Sequence, residues 1–211
     1  MLRECPECKK MISDRCFSCP NCGLPDPFVC PDLVLKRYYG GDYCVWKYCG
    51  DDKTVEIPSY YRGRYVTFIG AGAFSECTSL TSIIIPDSVK TIEISAFSKC
   101  TSLKSIIIPN SATDIRPNTF WGCTSLVSIT LPEKIKTIGV WFCKDCTSLT
   151  SIIIPDSVTR IDGGAFEGCS RLSDIRYNGT IAEWRKIEKS HRPFDYGKTV
   201  HCLDGDCPAD L

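Results

Sequence analysis

The sequence has little of what a catalytic site normally requires. Only two histidines are present among 211 residues, His191 and His201. No phosphate loop, H-E-x-x-H motif or Ser/His/Asp order accompanies them. His201 and Cys202 are adjacent in a predicted strand, so their side chains would point to opposite faces. These absences predict that the protein is not an enzyme.

Neither sign of charge dominates, because 25 Lys and Arg residues balance 25 Asp and Glu residues. Such a chain has no global field to attract nucleic acid or an anionic membrane. It also lacks an apolar run of about 18 residues, which predicts that no segment spans a membrane. The first residues, Met-Leu-Arg-Glu-Cys-Pro, lack the apolar stretch of a secretory signal peptide. We therefore expect a cytoplasmic location.

An internal repeat of 23 residues is the main feature that is present. Segments 78–100, 101–123, 124–146 and 147–169 each run from Thr-Ser-Leu to Cys without insertion. Each contains alternating apolar residues in an L-x-x-I-x-I/L pattern, which predicts a strand with one buried face. A proline follows and ends the strand, since it cannot donate to a ladder. One coil cannot bury both its faces, so the repeats predict a stack of about five coils.

The copies of TSLTSIIIPDSVKTIEISAFSKC resemble the BspA-like leucine-rich-repeat family over residues 32–207. The resemblance rests on the period and on the P-D-S-V and A-F-x-x-C signatures. It implies a mainly β, right-handed repeat solenoid with a binding role, often at bacterial or protist surfaces. It implies no named ligand.

The ends of the repeat region predict caps, which would cover the open ends of the stack. Glycine turns between aromatic and β-branched runs predict an N-terminal hairpin. Thr180 and Glu183 have capping-box spacing, and Ile181, Trp184 and Ile187 would share one face of the resulting helix. Residues 199–202 are predicted to form a closing strand. The predicted domains are a zinc ribbon (1–24), a linker (25–31), an N-terminal cap with an irregular first coil (32–76), regular repeats (77–169), and a C-terminal strand and cap (170–211).

Four of the 16 cysteines have metal-ligand spacing: Cys5, Cys8, Cys19 and Cys22 form C-x2-C, ten residues, C-x2-C. Zn²⁺ prefers four such thiolates in a tetrahedron, and a site closed by protein ligands is structural. The segment is too short for a core, so Zn²⁺ would supply its folding energy. It resembles short C-P-x-C…C-P-x-C-G zinc ribbons. Its balanced charge is unfavourable for phosphate contacts, so nucleic acid is disfavoured as a partner.

A second set of cysteines recurs every 23 residues: Cys77, Cys100, Cys123, Cys146 and Cys169. We predict a column of small buried thiols, because free cysteine is among the most buried residue types. Disulfides between coils are the alternative, although they need a specific geometry. In the fourth coil Phe142-Cys143 replaces the usual Ala-Phe pair. Exchanging a large and a small residue roughly conserves volume, which indicates local repacking.

Strand parity predicts which side chains face outward. One column is Ser82, Ser105, Ser128 and Ser151, and the next is Ile84, Ile107, Thr130 and Ile153. An exposed apolar stripe often marks an interaction surface. Alternatively, β-branched residues suit strands wherever they point. A second candidate contact site is an aromatic cluster before the repeats: Tyr38, Tyr39, Tyr43, Trp46, Tyr48, Tyr60 and Tyr61.

These patterns together predict a non-catalytic module that binds a protein partner through its sheet and carries a structural Zn²⁺ site. Self-association is another use of the same face. A zinc-ribbon-led nucleic-acid adaptor and a bacterial surface adhesin lacking its leader are the alternatives. The family resemblance suggests the second of these, at the cell surface, whereas the missing leader disfavours it.

Overall fold

The computed structural model describes the backbone of residues 2–4 and 11–13, and residues 32–38 and 40–209. This part of the chain is a mainly β solenoid with one short helix. The elements in chain order are β1 (Leu2–Glu4), β2 (Met11–Ser13), β3 (Leu33–Arg37), β4 (Tyr43–Tyr48), β5 (Thr54–Glu56), β6 (Tyr60–Tyr61), β7 (Arg64–Ile69), β8 (Ser82–Ile84), β9 (Thr91–Ile92), β10 (Ser105–Ile107), β11 (Asp114–Ile115), β12 (Ser128–Thr130), β13 (Thr137–Ile138), β14 (Ser151–Ile154), β15 (Arg160–Ile161), β16 (Asp174–Tyr177), α1 (Ile181–Trp184), β17 (Glu188–Lys189), β18 (Thr199–Cys202) and β19 (Gly205–Pro208).

One side of the solenoid consists of seven parallel strands, β5, β8, β10, β12, β14, β16 and β18, one from each coil. Equivalent residues lie opposite each other, as in the pair Ile106 and Ile129. The stack therefore has about seven turns, and our prediction of five was too low. The uninterrupted 23-residue period misses the first coil, which contains an insertion, and the last coils, which diverge in sequence.

The return side of each coil carries a shorter strand. Strands β3, β4, β7, β9 and β11 form one sheet in that spatial order, and β13, β15 and β17 form another. Each regular coil contributes only two residues here, such as Thr91 and Ile92. These strands end quickly because the chain turns at once toward the next coil.

The predicted N-terminal hairpin is present, with β3 antiparallel to β4. Its turn uses Gly40 and Gly41, both at a φ of 91°, a backbone conformation that glycine adopts without steric cost. The insertion before the first regular coil is a second, smaller hairpin between β6 and β7. Arg62 and Gly63 form its turn, both with positive φ.

The C-terminal helix α1 begins with the predicted capping box. The backbone N–H of Thr180 donates to Glu183 Oε2 at 2.8 Å, and the Glu183 N–H donates to Thr180 Oγ1 at 3.3 Å. Ile187 does not lie on this helix, which ends at Trp184, although its side chain is buried. Strand β18 is not the closing strand, because β19 folds back against it and takes the edge of the sheet. Strand β19 was not predicted because its residues, Gly-Asp-Cys-Pro, have the composition of a polar turn.

A column of aromatic rings forms the core of the stack. The ring centroids of neighbouring coils are 5.2 Å apart for Phe74 and Phe97 and 5.5 Å apart for Phe97 and Phe120. Phe142 continues the column in an edge-to-face contact with Phe120, at 5.3 Å and 82°. Its ring reaches the column from the position that alanine occupies elsewhere, and Cys143 fills the vacated space. The exchange therefore repacks the core, as predicted.

The cysteine column lies beside the aromatic column. Cys100, Cys123, Cys146 and Cys169 are buried, whereas Cys77 in the first coil is only partly buried. All ten cysteines in the described ranges, from Cys44 to Cys207, are free thiols. Burial raises the pKa of the Cys77 thiol to about 12. The four buried cysteines of this column thus act as small core residues.

Candidate partner-binding face

The outward side chains of the seven parallel strands form one continuous surface, here called the sheet face. Because successive side chains of a strand point to opposite sides, Ile83 points inward and Ile84 outward. The same alternation repeats in β10, β12 and β14. Residues of one column lie next to each other because the strands are parallel and in register.

The isoleucines predicted to point outward are exposed. The exposed fractions are 57% for Ile84, 70% for Ile107 and 51% for Ile153. Their inward neighbours Ile83 and Ile106 are 6% and 2% exposed. Three large apolar side chains are therefore exposed to solvent on one face, whereas isoleucines at the neighbouring positions of the same strands are buried.

The remaining predicted residues share this face. Thr130 is exposed between Ile107 and Ile153 and interrupts the apolar stripe with a hydroxyl group. In the parallel column, Ser82, Ser105 and Ser128 are exposed and Ser151 is half-buried. The structure thus brings all eight predicted residues together on one surface.

A groove of about 680 Å³ runs along the apolar column. Its floor includes Ile107 and Ile153, and one wall is formed by the residues that follow the strand-ending prolines. In that wall the exposed carboxylates of Asp87 and Glu133 flank Asn110. The Asn110 side chain is held in place because its Oδ1 accepts the Glu133 backbone N–H at 2.9 Å. The groove therefore combines an apolar floor with an acidic rim.

The two columns continue beyond the residues that sequence reasoning identified. Glu56 of β5 lies opposite Ile84, and Arg176 of β16 lies opposite Ile153. Arg176 Nε donates to Asp174 Oδ1 at 3.0 Å, and this hydrogen bond raises the pKa of the guanidinium. Both extensions could have been found from the repeat-like strings TVEIP and DIRY. The apolar stripe is thus bounded at one end by the acidic residue Glu56 and at the other by Arg176, which is paired with Asp174.

The aromatic cluster before the repeats separates into two groups. Tyr43 and Tyr48 are buried, and Tyr48 packs on Phe74 with ring centroids 5.6 Å apart. Tyr38, Trp46 and Tyr60 are exposed, and Tyr61 is half-buried. Tyr39 lies outside the described residues. Part of this cluster therefore belongs to the core.

The predicted zinc ligands Cys5, Cys8, Cys19 and Cys22 lie outside the described residues. In their vicinity the structure describes β1 and β2, which pair antiparallel with Arg3 opposite Ile12. Within the described ranges, no helix has the length and apolar content needed to cross a membrane.

Comparison with known proteins identifies the repeat. The model of the BspA type leucine rich repeat region matches residues 43–186 in six copies. A leucine rich repeat protein of T. pallidum has a similar structure, with a TM-score of 0.68, 28% identity, and coverage of 77% of this chain and 80% of that one. A leucine-rich repeat protein from Eubacterium ventriosum has a TM-score of 0.58 and 23% identity. This second match covers 74% of the present chain but only 44% of the other.

No curated protein matches the chain. The family model nevertheless covers more than half of the sequence and coincides with the coils of the solenoid. The chain belongs to the BspA-type leucine-rich-repeat family.

Proposed function

We propose that the chain binds a protein partner through the sheet face, using the apolar stripe of Ile84, Ile107 and Ile153. The exposure of these three isoleucines carries the proposal, together with the groove that Ile107 and Ile153 line. Leucine-rich-repeat proteins are generally non-catalytic binding modules, and the family suggests protein interaction. The acidic rim formed by Asp87 and Glu133 favours a partner segment with apolar and basic side chains.

The test compares capture of binding proteins from the native host by the full chain and by Ile107→Asp and Ile153→Asp variants. We expect each variant to lose the partner, because a carboxylate placed among the apolar side chains of the groove loses its hydration when the partner binds. Ile94→Asp is the matched control, since Ile94 is 45% exposed but lies outside the sheet face. Unchanged capture by both sheet-face variants would contradict the proposal.

Self-association through the same face has a separate readout. Sedimentation velocity of the purified chain at increasing concentration would reveal a dimer, and Ile107→Asp would dissociate it. A dimer that resists this substitution would have to use another surface.

We further propose that Cys5, Cys8, Cys19 and Cys22 bind one structural Zn²⁺. The C-x2-C spacing supports this, as does the position of Cys5 and Cys8 in the segment that joins the paired strands β1 and β2. Elemental analysis should find one Zn²⁺ per chain, which the double variant Cys8→Ser/Cys22→Ser loses. Cys16→Ser is the control, since its spacing fits neither pair. Equal Zn²⁺ content in all three proteins would exclude the site.

A further inference from the structure

One turn position has the same unusual backbone conformation in six successive coils. The residue just before the Ala-Phe pair, or before the pair that replaces it, has a positive φ between 51° and 63° in each of these coils. These residues are Gly72, Ser95, Asn118, Trp141, Gly164 and Arg192. Glycine and asparagine adopt this conformation readily, whereas a bulky side chain is a genuine outlier there. Trp141, with a φ of 52°, therefore has a backbone conformation that is unfavourable for a bulky residue.

The next coil makes room for the Trp141 ring. A Cβ on Gly164 would lie 2.7 Å from Trp141 Cδ1 and 2.9 Å from its Nε1, so only glycine fits beneath the indole. Lys144 Nζ lies 5.1 Å from the ring centroid and pairs with Glu167 at 3.0 Å. The ring is thus held in place at several points.

Core packing does not explain this arrangement, because Trp141 is 43% exposed. Its Nε1 has no hydrogen-bond partner among the described residues. Trp121 one coil earlier differs, since its Nε1 donates to Asp145 Oδ2 at 3.3 Å. A residue with an unfavourable backbone conformation that does not fill the core is typical of a functional site.

Trp141 forms one wall of a cleft of about 620 Å³ on the return side of the solenoid. Gly163 and Gly164 line the cleft beside the ring, and His191 and Tyr196 come from the segment before β18. The Tyr196 ring is 73% exposed, and Arg192 lies 4.6 Å from its centroid. The cleft has the size of ordinary small-ligand sites and shares no residue with the sheet face.

The polar groups of the cleft indicate the charge of its ligand. Asp195 and Arg192 in the lining carry opposite charges, and the lining carboxylate of Glu167 is paired with Lys144, which lies beside the cleft. Donors and acceptors are both present, but neither sign of charge is in excess. A neutral ligand with many hydroxyl groups and a flat apolar face would use both the aromatic rings and these polar groups.

We propose that the cleft between Trp141 and Tyr196 binds a neutral saccharide. The C–H face of a sugar ring packs against the indole, and its hydroxyl groups hydrogen-bond with the free Trp141 Nε1 and with the charged side chains at the rim. The unfavourable backbone of Trp141 is tolerated because it aims the indole into the cleft.

The test uses saturation-transfer difference NMR on the full chain with four probes: maltohexaose, cellopentaose, chitopentaose and mannopentaose. At least one should give a signal, and Trp141→Asn and Tyr196→Ala should each weaken binding by more than about tenfold. Trp46→Asn is the control. Trp46 is also exposed, at 52%, and Lys36 Nζ lies 4.0 Å from its ring centroid, but Trp46 belongs to β4 and does not line the cleft. This variant should bind like the unmodified protein.

The same variants test whether Trp141 serves a ligand or the fold. Asparagine occupies the equivalent position 118, so Trp141→Asn should raise the melting temperature while binding is lost. A lower melting temperature would make Trp141 a structural residue and overturn the proposal. So would silence from all four probes, or binding that survives both Trp141→Asn and Tyr196→Ala. A host protein that requires Trp141 while no sugar binds would assign the cleft to protein recognition instead.

Discussion

The thiol of Cys123 donates a hydrogen bond of 3.1 Å to the backbone carbonyl oxygen of Phe97 in the preceding coil. The same oxygen accepts the backbone N–H of Cys100, at 3.3 Å. Cys100, Cys146 and Cys169 make equivalent Sγ contacts with the coil before them, at 3.0–3.1 Å. The cysteine column, here also called the thiol column, therefore connects neighbouring coils through hydrogen bonds, in addition to filling space.

Replacing Cys123 by alanine should destabilise the protein by about 1–2 kcal/mol, because a buried hydrogen bond and a buried sulfur are lost. The Phe97 carbonyl keeps its bond from Cys100, which limits the loss. Urea unfolding followed by circular dichroism measures the difference. Cys49→Ala, at an exposed position, should change the free energy of unfolding by less than about 0.5 kcal/mol. Equal effects of the two substitutions would contradict a role for the Cys123 thiol.

The exchange in the fourth coil predicts strong coupling between Phe142 and Cys143. Phe142→Ala alone should cost about 3–5 kcal/mol, since it removes a fully buried ring from the aromatic column. The double variant Phe142→Ala/Cys143→Phe restores the pair found in other coils and should recover to within about 1.5 kcal/mol of the natural protein. A double-mutant cycle in urea measures the coupling. Additive effects would mean that the two positions do not share one space.

The stability of the protein should fall in alkaline solution. Burial raises the pKa of Cys77 from 9.0 to about 12, and that of Cys44 to about 11. Above pH 9 the unfolded chain loses these protons while the folded chain keeps them, so stability is complete below pH 9 and declines as the pH rises toward 12. Urea unfolding between pH 8 and about 11 measures the slope. Cys77→Ala should make it shallower by up to one proton, and an unchanged slope would exclude Cys77 as a source.

Cys202 and Cys207 should be the first pair of described thiols to form a disulfide. Their sulfur atoms lie 3.9 Å apart across the β18–β19 hairpin. Hydrogen peroxide would take two electrons and two protons from the pair and be reduced to water. Burial raises the pKa of Cys202 to about 12, so the reaction should be slow at neutral pH and faster in alkali.

Intact mass and peptide mapping after alkylation identify this bond. Cys202→Ser should prevent formation of this disulfide, whereas Cys146→Ser should not. Cys146 is buried, and its thiol donates a hydrogen bond to a backbone carbonyl oxygen. A first disulfide within the thiol column would contradict the assignment.

The strand alternation could be predicted from the sequence because it depends on local geometry. Ile83 is buried and Ile84 exposed because successive side chains of a strand point to opposite sides. This two-residue period can be recognised in the amino-acid sequence. The capping box was equally predictable, since two residues three positions apart, Thr180 and Glu183, define it. The number of coils was not, because Val55 and Val200 take repeat positions within segments that depart from the 23-residue spacing.

The sequence by itself determined the repeat, the inward and outward faces of its strands, and the buried cysteine column. These properties follow from periodicity and side-chain chemistry, which act over a few residues. Only the tertiary structure decided how equivalent atoms of different coils meet. It brought the thiols of Cys100, Cys123, Cys146 and Cys169 to carbonyl oxygens of the preceding coil. It also turned Phe142 into the aromatic column and placed Trp141 across a cleft from Tyr196. Such contacts depend on the stacking of coils, which no single repeat specifies.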